Sequence, residues 1–240
     1  MNVLIACEES QTVCKAFREL GHRAYSCDIQ ECSGGYPEWH ICDDVLKYIN
    51  GNTVFPLQDG TKRAVKGSWD LIIAHPPCTY LSFAGNKFFN AEIYGNMALE
   101  REVKRTEAAV FFMKIINANC EKIAVENPLG YMSRYYRKPD QIIHPYFFAN
   151  GIDDRENYQL KRTCLWLKGL KPLEIVSDLP KPQPVKIREN GKRVYWCESM
   201  KHDKDRAKNR SKTFLAIAKA MADQWGGKVA KTESDFINIF

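Results

Sequence analysis

The 240-residue sequence contains no apolar run long enough to cross a membrane, which requires about 18 residues. Its apolar runs, such as Leu71–Ala74, fall far short of that length. The first residues carry no basic region ahead of an apolar stretch, so we expect no secretory signal. A composition of 45% hydrophobic and 27% charged residues excludes a globally disordered chain. We therefore expect a soluble, cytoplasmic protein built around one large domain, with no membrane partner.

The cysteines lack the regular spacing of a disulfide framework. Their number, nine, is odd, which suits reduced thiols in a reducing compartment. Cys27, Cys32, His40 and Cys42 lie within sixteen residues of one another, but their spacing matches no standard zinc pattern. The sequence therefore predicts no metal site.

Acidic residues are scarce in one stretch of the chain. The net charge is +6, and residues 181–212 hold eleven Lys and Arg against four Asp and Glu, a local charge of +7. The rest of the chain is close to neutral. A basic segment attached to a neutral body favours a polyanionic partner such as nucleic acid, although an ordinary solvated surface has the same composition.

Short apolar runs alternate with amphipathic stretches along the chain. Five of the runs predict strands, at residues 2–7, 23–28, 40–42, 69–74 and 122–125. Helices are predicted at residues 11–20, 97–117 and 214–225, and a closing strand pair at residues 141–148 and 163–167. This alternation indicates an α/β protein with a mostly parallel sheet and helices on both faces.

Three elements carry more detailed expectations. The Asp59-Gly60 pair between two short apolar runs predicts a hairpin inserted at residues 53–65. The long central helix is predicted to bury Val103, Val110, Phe111 and Ile115. The last helix is predicted to bury Ile217, Met221 and Trp225, which share one face.

Unusual residues follow five of the predicted strands at the point where each strand ends. They are Cys7-Glu8-Glu9, Asp28, Asp44, Pro76-Pro77-Cys78 and Glu126-Asn127-Pro128. Ligands of parallel α/β sheets bind beyond the carboxyl ends of the strands. The sequence therefore predicts one site at this edge of the sheet.

Cys78 and Glu126 are the strongest candidates for chemistry at that edge. Two prolines hold Cys78 on a rigid loop, which is a placement that a reactive thiol needs. Glu126 ends the next predicted strand, where burial would raise its pKa and let it protonate or hydrogen-bond a ring nitrogen. Both residues also have simpler interpretations: Cys78 could be only a small residue in a turn, and Glu126 could be only a helix cap.

These two segments, in this order, resemble the cytosine carbon-5 DNA methyltransferases, whose hallmarks are a Pro-Cys nucleophile loop and a Glu-Asn-Val loop. The sequence looks closest to a small, phage-associated branch, through His75–Leu81 and Thr163–Leu167. The resemblance implies a Rossmann-like, class I S-adenosylmethionine-dependent methyltransferase fold with a seven-stranded sheet. For a phage-encoded protein, the location would be the cytoplasm of the host cell.

The resemblance also implies a mechanism. The Cys78 thiolate would attack carbon 6 of cytosine while Glu126 engages ring nitrogen 3, which makes carbon 5 able to accept a methyl group. Asn127 and Arg162 would complete the catalytic set. Amino-group methyltransferases carry an aromatic residue after Pro-Pro, so Cys78 argues against that chemistry.

The cofactor implied by the resemblance is S-adenosylmethionine. Its predicted contacts are Cys7, Glu8, Ser10, Asp28, Ile29, Asp44, Val45, Pro76, Ser211 and Thr213. Asp28 would hold the ribose hydroxyls and Asp44 the adenine amine. The first loop departs from the family pattern, because residues 7–12 contain none of the glycines that let a backbone approach a ligand closely.

The predicted macromolecular partner is DNA. Lys161 and Arg162 resemble the family's basic motif, and Arg162 is preferred because a planar guanidinium suits carbonyl or phosphate recognition. Further phosphate contacts are predicted at Lys204, Arg206, Lys208 and Arg210. The domain prediction is a catalytic core at residues 1–170, a basic segment at 171–210 in place of a target-recognition domain, a C-terminal helix at 211–226 and a tail.

Two alternatives remain open from the sequence. The same chemistry could act on a free pyrimidine nucleotide, because the chain has no room for a full target-recognition domain. Alternatively, the protein could bind nucleic acid or cofactor without catalysis, because the glycines of the first loop are missing. The intact Cys78 and Glu126 count against the second alternative.

Overall fold

The computed structural model describes residues 1–195 and 213–229 of the chain. Among these residues, eleven strands are formed, and seven of them build one central sheet. In chain order, the strands are β1 (Asn2–Ala6), β2 (Arg23–Asp28), β3 (His40–Cys42), β4 (Thr53–Pro56), β5 (Lys62–Val65), β6 (Leu71–Ala74), β7 (Ile123–Asn127), β8 (Gln141–Ile143), β9 (Thr163–Lys168), β10 (Lys186–Ile187) and β11 (Arg193–Val194).

The central sheet has the order β3-β2-β1-β6-β7-β9-β8. The first five strands in that order run parallel, and β9 runs antiparallel to both β7 and β8. The chain is therefore an α/β protein with a mixed, mostly parallel seven-stranded sheet, as the alternation of apolar and amphipathic stretches predicted. The carboxyl ends of β1, β2, β3, β6 and β7 consequently meet at one edge.

The helices are α1 (Thr12–Glu19), α2 (Ala91–Tyr94), α3 (Asn96–Ile116), α4 (Met132–Tyr135) and α5 (Leu215–Met221), which continues as a π-helical turn over Ala222–Gly226. Three of them cover the sheet. Phe17 of α1 and Met221 of α5 pack with Val3 on one face, whereas Phe112 of α3 packs with Leu4 on the other. Because consecutive β1 side chains enter different cores, both faces of the sheet are buried.

Two expectations about helix faces have different outcomes. Ile217, Met221 and Trp225 are all buried, as predicted for the last helix. In α3, however, Val103 is 60% exposed and Val110 is 43% exposed. That part of the prediction is wrong, because the buried face of α3 follows Ala109, Phe112 and Ile116 and turns the two valines outward.

The inserted hairpin and the closing strand pair are confirmed. β4 and β5 pair antiparallel, and Phe55 lies fully buried with its ring centroid 5.7 Å from that of Trp69. β8 is shorter than predicted and ends at Ile143, since a 3-10 helix begins at Pro145, which has no N–H for the ladder. In the part of the chain that the structure describes, no helix is long and apolar enough to span a membrane.

Candidate active site at the carboxyl edge of the sheet

The loop after β6 presents Cys78 at the centre of this edge. β6 lies between β1 and β7, and Pro76 is buried while Pro77 and Cys78 are exposed. The Cys78 carbonyl oxygen accepts hydrogen bonds from the amides of Leu81 and Ser82, at 3.0 and 2.9 Å. This turn and the two prolines hold the thiol-bearing residue at the surface of the edge.

The end of β7 is joined directly to that loop. Asn127 is buried, and its Nδ2 donates a hydrogen bond to the Pro76 carbonyl oxygen at 2.8 Å. The Oδ1 atom of Asn127 is also buried, and it has no hydrogen-bond partner among the described residues. Asn127 thus fixes the two predicted motif segments relative to each other and keeps one acceptor available.

A second contact between the two loops involves glycine. The Tyr131 amide donates to the Leu81 carbonyl oxygen at 2.7 Å, and a β-bridge joins Ser82 to Gly130. A Cβ atom at Gly130 would overlap the Leu81 carbonyl oxygen. Only glycine therefore allows the loop that follows Glu126 to pack against the loop that follows Cys78.

Glu126 is held by a histidine. Oε2 of Glu126 lies 3.1 Å from Nδ1 of His75, with side-chain exposures of 16% and 9%. Burial raises the pKa of Glu126, but the hydrogen bond from His75 and the charges of His75 and Lys161 lower it below its ordinary value overall. The expected raised pKa is therefore wrong for this arrangement, and Glu126 is a carboxylate at neutral pH.

His75 is the site residue that the sequence analysis did not select. Its Nδ1 also lies 3.4 Å from Oγ1 of Thr213, and its Nε2 is buried with no hydrogen-bond partner in the described part of the chain. The charge of His75 also lowers the pKa of Glu8, so His75 lies close enough to act on both carboxyl groups. The available signal was its position, directly after a buried central strand and before Pro-Pro-Cys.

The loop after β1 compensates for its missing glycines in an unusual way. Cys7 and Gln11 both adopt left-handed backbone conformations, with φ of 59° and 58°. Such conformations favour glycine and cost a side-chain-bearing residue about 1–2 kcal/mol. Gln11 is fully buried, and its side chain donates to the Tyr36 carbonyl oxygen and accepts from the Tyr36 amide. The loop therefore keeps a glycine-like backbone, which side-chain hydrogen bonds hold in place.

Glu8 is directed at the helix rather than at the surface of the edge. Its two carboxylate oxygens accept hydrogen bonds from the amides of Val13 and Cys14, at 2.6 and 3.1 Å. Burial raises the pKa of Glu8 above its ordinary value overall, although these amides and His75 lower it. The Glu8 side chain thus accepts hydrogen bonds from amides in the first turn of α1. Ser10, half-buried nearby, lies 3.1 Å from Thr12 through their hydroxyl oxygens.

The ends of β2 and β3 place two acidic residues, Asp28 and Asp44, beside the loop that contains Cys7. Asp28 accepts a hydrogen bond from the Gln30 amide at 2.9 Å, and Asp44 accepts one from the Leu46 amide at 3.0 Å. Burial raises the pKa of Cys7, and the charges of these two acids raise it further. The three predicted residues are therefore close together.

Two hydrophobic residues predicted to bind the cofactor have opposite environments. Ile29 is 79% exposed, directly after Asp28, and offers an apolar surface at the edge. Val45 is buried in the core, so its side chain is unavailable and only its backbone could contact a ligand. The predicted cofactor contact at Val45 therefore stays a prediction, limited to its backbone.

The basic pair before β9 is divided between two environments. The Nζ atom of Lys161 lies 5.3 Å from the centre of the Phe214 ring, and its charge lowers the pKa of Glu126. Arg162 is exposed. Burial lowers the pKa of His144 and the charge of Arg162 lowers it further, whereas burial raises the pKa of Cys164 against the charge of Arg162. Lys161 is therefore the member of the pair whose charge acts on Glu126, and base or phosphate recognition by Arg162 stays a prediction.

Five of the predicted contacts lie outside the described residues: Lys204, Arg206, Lys208, Arg210 and Ser211. Of the basic residues 181–212, the structure describes Lys181, Lys186, Arg188, Lys192 and Arg193, and all five are exposed. Within residues 1–195 and 213–229, no group of three or more His, Cys, Asp or Glu residues could hold a metal ion. His40 uses both ring nitrogens in hydrogen bonds, to Ser26 and Gln30, each at 2.8 Å.

Comparison with protein-family models finds no match for this chain, and a search of curated proteins finds no significant relative.

Proposed function

We propose that this protein is a DNA methyltransferase that transfers a methyl group from S-adenosylmethionine to carbon 5 of cytosine. The observation that carries the proposal is the pairing of Cys78 and Glu126 on the neighbouring strand ends of β6 and β7, tied by the bond from Asn127 to Pro76. An exposed cysteine beside a carboxylate held by histidine suits addition of a thiolate to a pyrimidine ring. An amino-group methyltransferase would have no use for the thiol.

The sheet provides independent support. Its strand order, with five parallel strands and the reversed β9 between β7 and β8, is the arrangement expected of class I S-adenosylmethionine-dependent methyltransferases. Many activities share such α/β sheets, so the fold alone does not carry the function. The reactive residues at its carboxyl edge are the specific evidence.

The residues at the ends of β1 to β3 fit S-adenosylmethionine better than a dinucleotide. In dinucleotide-binding folds, the helix after the first strand binds a phosphate through its N-terminal amides. Here the side chain of Glu8 accepts hydrogen bonds from the amides of Val13 and Cys14, so these amides are not available to a phosphate. S-Adenosylmethionine has no phosphate and carries a positive sulfonium, so a carboxylate-rich edge suits it. Asp28 would accept ribose hydroxyls, and Ile29 would cover one face of the adenine.

The proposed chemistry assigns a role to each central side chain. The Cys78 thiolate bonds to carbon 6 of cytosine, and the electrons of the 5,6 double bond move to carbon 5. Ring nitrogen 3 takes up a proton from solvent as negative charge develops on the ring and releases it when the thiolate leaves; the Glu126 carboxylate, aligned by His75, accepts the hydrogen bond from that N–H. S-Adenosylmethionine supplies the methyl group to carbon 5. A base then removes the hydrogen from carbon 5, the double bond re-forms, and the Cys78 thiolate leaves.

The direct test is transfer of a labelled methyl group from S-adenosylmethionine to duplex DNA, single-stranded DNA and dCMP in parallel. Transfer to either DNA, lost in Cys78→Ser, supports the proposal. DNA containing 5-fluorocytosine should trap a covalent adduct with the wild type, because the fluorine cannot leave as a cation. Transfer to dCMP alone would select the free-nucleotide alternative. Cofactor binding without transfer to any of the three would contradict a catalytic role.

A further inference from the structure

A cleft of about 250 Å³ opens beside the turn that follows Cys78. None of the residues that line it takes part in the proposed chemistry. Its walls come from the 3-10 helix Phe83–Phe89, from α2 and from the first half of α3. The side chains that matter are Tyr80, Phe88, Tyr94, Met97, Arg101 and Lys104. Three aromatic rings and two cations thus line one concavity, two residues along the chain from the proposed nucleophile.

The planar groups of the cleft lie against one another. The ring centres of Phe88 and Tyr94 are 5.4 Å apart. The guanidinium carbon of Arg101 lies 4.9 Å from the centre of the Tyr80 ring and 5.2 Å from that of Phe88. Aromatic rings and guanidinium planes are the groups on which proteins stack unpaired bases.

The cations of the cleft have unused capacity. Arg101 donates one hydrogen bond, to the Thr79 carbonyl oxygen at 3.2 Å, while its Nε is buried without a partner among the described residues. Lys104 is exposed, and neither cation forms an ion pair within the part of the chain that the structure describes. Glu100 also lines the cleft, which leaves a net positive charge suited to a phosphate backbone.

The cleft is held in shape before any ligand arrives. Gly85 is buried, and a Cβ atom there would lie 2.8 Å from Nη2 of Arg101 and 3.2 Å from the Thr79 carbonyl oxygen. Its absence lets the guanidinium reach the turn that follows Cys78. Met97 and Phe88 add exposed apolar surface to the cleft, with 63% and 38% of their surface exposed. Exposed apolar side chains grouped around a concavity mark interaction sites.

We propose that this cleft binds an unpaired base of single-stranded DNA, next to the cytosine presented to Cys78. The assignment rests on the proposed function for the choice of DNA and deepens it by naming the form of the substrate. A base that stays paired in a duplex is stacked on both sides, so its face cannot enter a cleft lined by rings unless it is flipped out. Tyr80 is two residues from Cys78, so their Cα atoms are at most about 7.6 Å apart, and the cleft therefore lies close to the proposed nucleophile.

The test is the affinity of the full-length protein for a fluorescent single-stranded oligonucleotide, for the same sequence as a duplex, and for dCMP as competitor. Phe88→Leu keeps an apolar side chain but removes the ring, and Lys104→Ala removes an exposed charge. The matched controls are Phe83→Leu, on the same 3-10 helix, and Lys114→Ala, on the same α3 helix, both outside the cleft. We expect Phe88→Leu to weaken single-strand binding roughly tenfold and Lys104→Ala to reduce its salt dependence, with both controls unchanged.

Photocrosslinking locates the strand independently of affinity. An oligonucleotide carrying 5-iododeoxyuridine beside the target cytosine should attach to the peptide that contains Tyr80, Phe88 or Tyr94. Equal or tighter binding of the duplex, full competition by dCMP, or equal effects of Phe88→Leu and Phe83→Leu would overturn the inference. Methylation of duplex DNA without single-strand crosslinking would overturn it while the proposed function stands. Crosslinking at the cleft without any methyl transfer would instead overturn the function alone.

Discussion

The two halves of the carboxyl edge differ in how they treat their polar groups. At the ends of β6 and β7, Asn127 Oδ1 and His75 Nε2 are buried without partners among the described residues. At the end of β1, by contrast, Glu8 and Gln11 direct their side chains into backbone hydrogen bonds. Buried polar groups without partners are costly in a folded protein and mark places where a ligand completes the network.

The polar side chains of one half of the edge are therefore available to a ligand, whereas those of the other half hold the backbone of their own loop. The β6–β7 half keeps acceptors and donors available next to an exposed cysteine. The β1 half uses its polar side chains to hold a left-handed loop that has no glycine, and the contacts proposed for S-adenosylmethionine are those of Asp28, Asp44 and Ile29. Substitutions in the first half should therefore change activity, and substitutions in the β1 loop should change stability.

The largest effect is expected from Cys78→Ser. Removing a covalent nucleophile costs about 10⁴-fold or more in turnover, whereas an exposed and nearly isosteric substitution changes the free energy of unfolding by less than about 0.5 kcal/mol. Turnover with saturating DNA and denaturant unfolding of the same preparation provide the measurement. Cys42→Ser, at another exposed cysteine, is the control and should leave turnover intact. Substantial turnover in Cys78→Ser would remove the covalent mechanism.

The next effect is expected at the His75–Glu126 pair. Glu126→Gln should lower turnover about 10²–10⁴-fold, the range for a group that handles a proton. His75→Ala removes the interactions that oppose burial, so the pKa of Glu126 rises. Activity that needs the carboxylate is lost as pH falls through this pKa, and in His75→Ala that loss begins at higher pH.

The measurement is the acid limb of kcat/KM against pH. His144→Ala removes a half-buried histidine that does not contact Glu126, so its acid limb should coincide with that of the wild type. A shift of equal size in both variants would show that His75 acts only through general stability.

Glu8→Gln should affect folding more than chemistry. The amide NH₂ of glutamine cannot accept from a backbone N–H, so one of the two buried amides of α1 loses its partner. We expect the free energy of unfolding to fall by about 1–3 kcal/mol. Glu19→Gln, at the exposed end of the same helix, is the control and should change it by less than about 0.5 kcal/mol. Equal stabilities of the two variants would contradict the capping role.

Asp28→Ala should weaken binding of S-adenosylmethionine by about 1.5–3 kcal/mol, because hydrogen bonds to a charged acceptor are lost. Titration calorimetry of the wild type and the variant measures this difference. Asp153→Ala removes an exposed acid away from the strand ends and should bind as the wild type does. Unchanged affinity in Asp28→Ala would move the ribose site away from the end of β2.

The smallest effect is expected at the left-handed Cys7. Cys7→Gly relieves backbone strain but increases the conformational freedom of the unfolded chain, so the free energy of unfolding should change by less than about 1 kcal/mol. Ala6→Gly, one residue earlier in extended and fully buried β1, has no strain to relieve and should be clearly destabilising. Thermal unfolding of both variants tests the difference. A larger loss in Cys7→Gly would show that its side-chain packing outweighs the strain.

Several features of the fold were predictable because they depend on local patterns. The apolar runs of β1 and β6 are buried on both faces, so their sequences are almost continuously hydrophobic and easy to recognise. The central helix was harder to predict. It carries apolar residues on several sides, so the choice between Val103 and Phe112 as core depends on which side the sheet covers.

The candidate site likewise has features that the sequence predicts and features that it does not. Cys78 and Glu126 were recognisable as unusual residues after buried strands, and the meeting of those strands at one edge follows from parallel pairing. His75 was missed, because a histidine gains its role only from what lies 3.1 Å away on the next strand. The raised pKa expected for Glu126 was wrong for the same reason, since the sequence indicates burial but not the neighbouring charges.

Local sequence patterns are enough to predict the alternation of strands and helices, the edge at which the polar residues gather and the choice of Cys78 and Glu126 as candidates. These follow from hydrophobic periodicity and from residue type, which are local properties of the chain. The folded structure was needed to show that Glu8 turns inward onto α1, that His75 holds Glu126 and that aromatic and cationic side chains line a cleft beside Cys78. Contacts of this kind join residues far apart in sequence, and their distances are set by packing against the whole sheet.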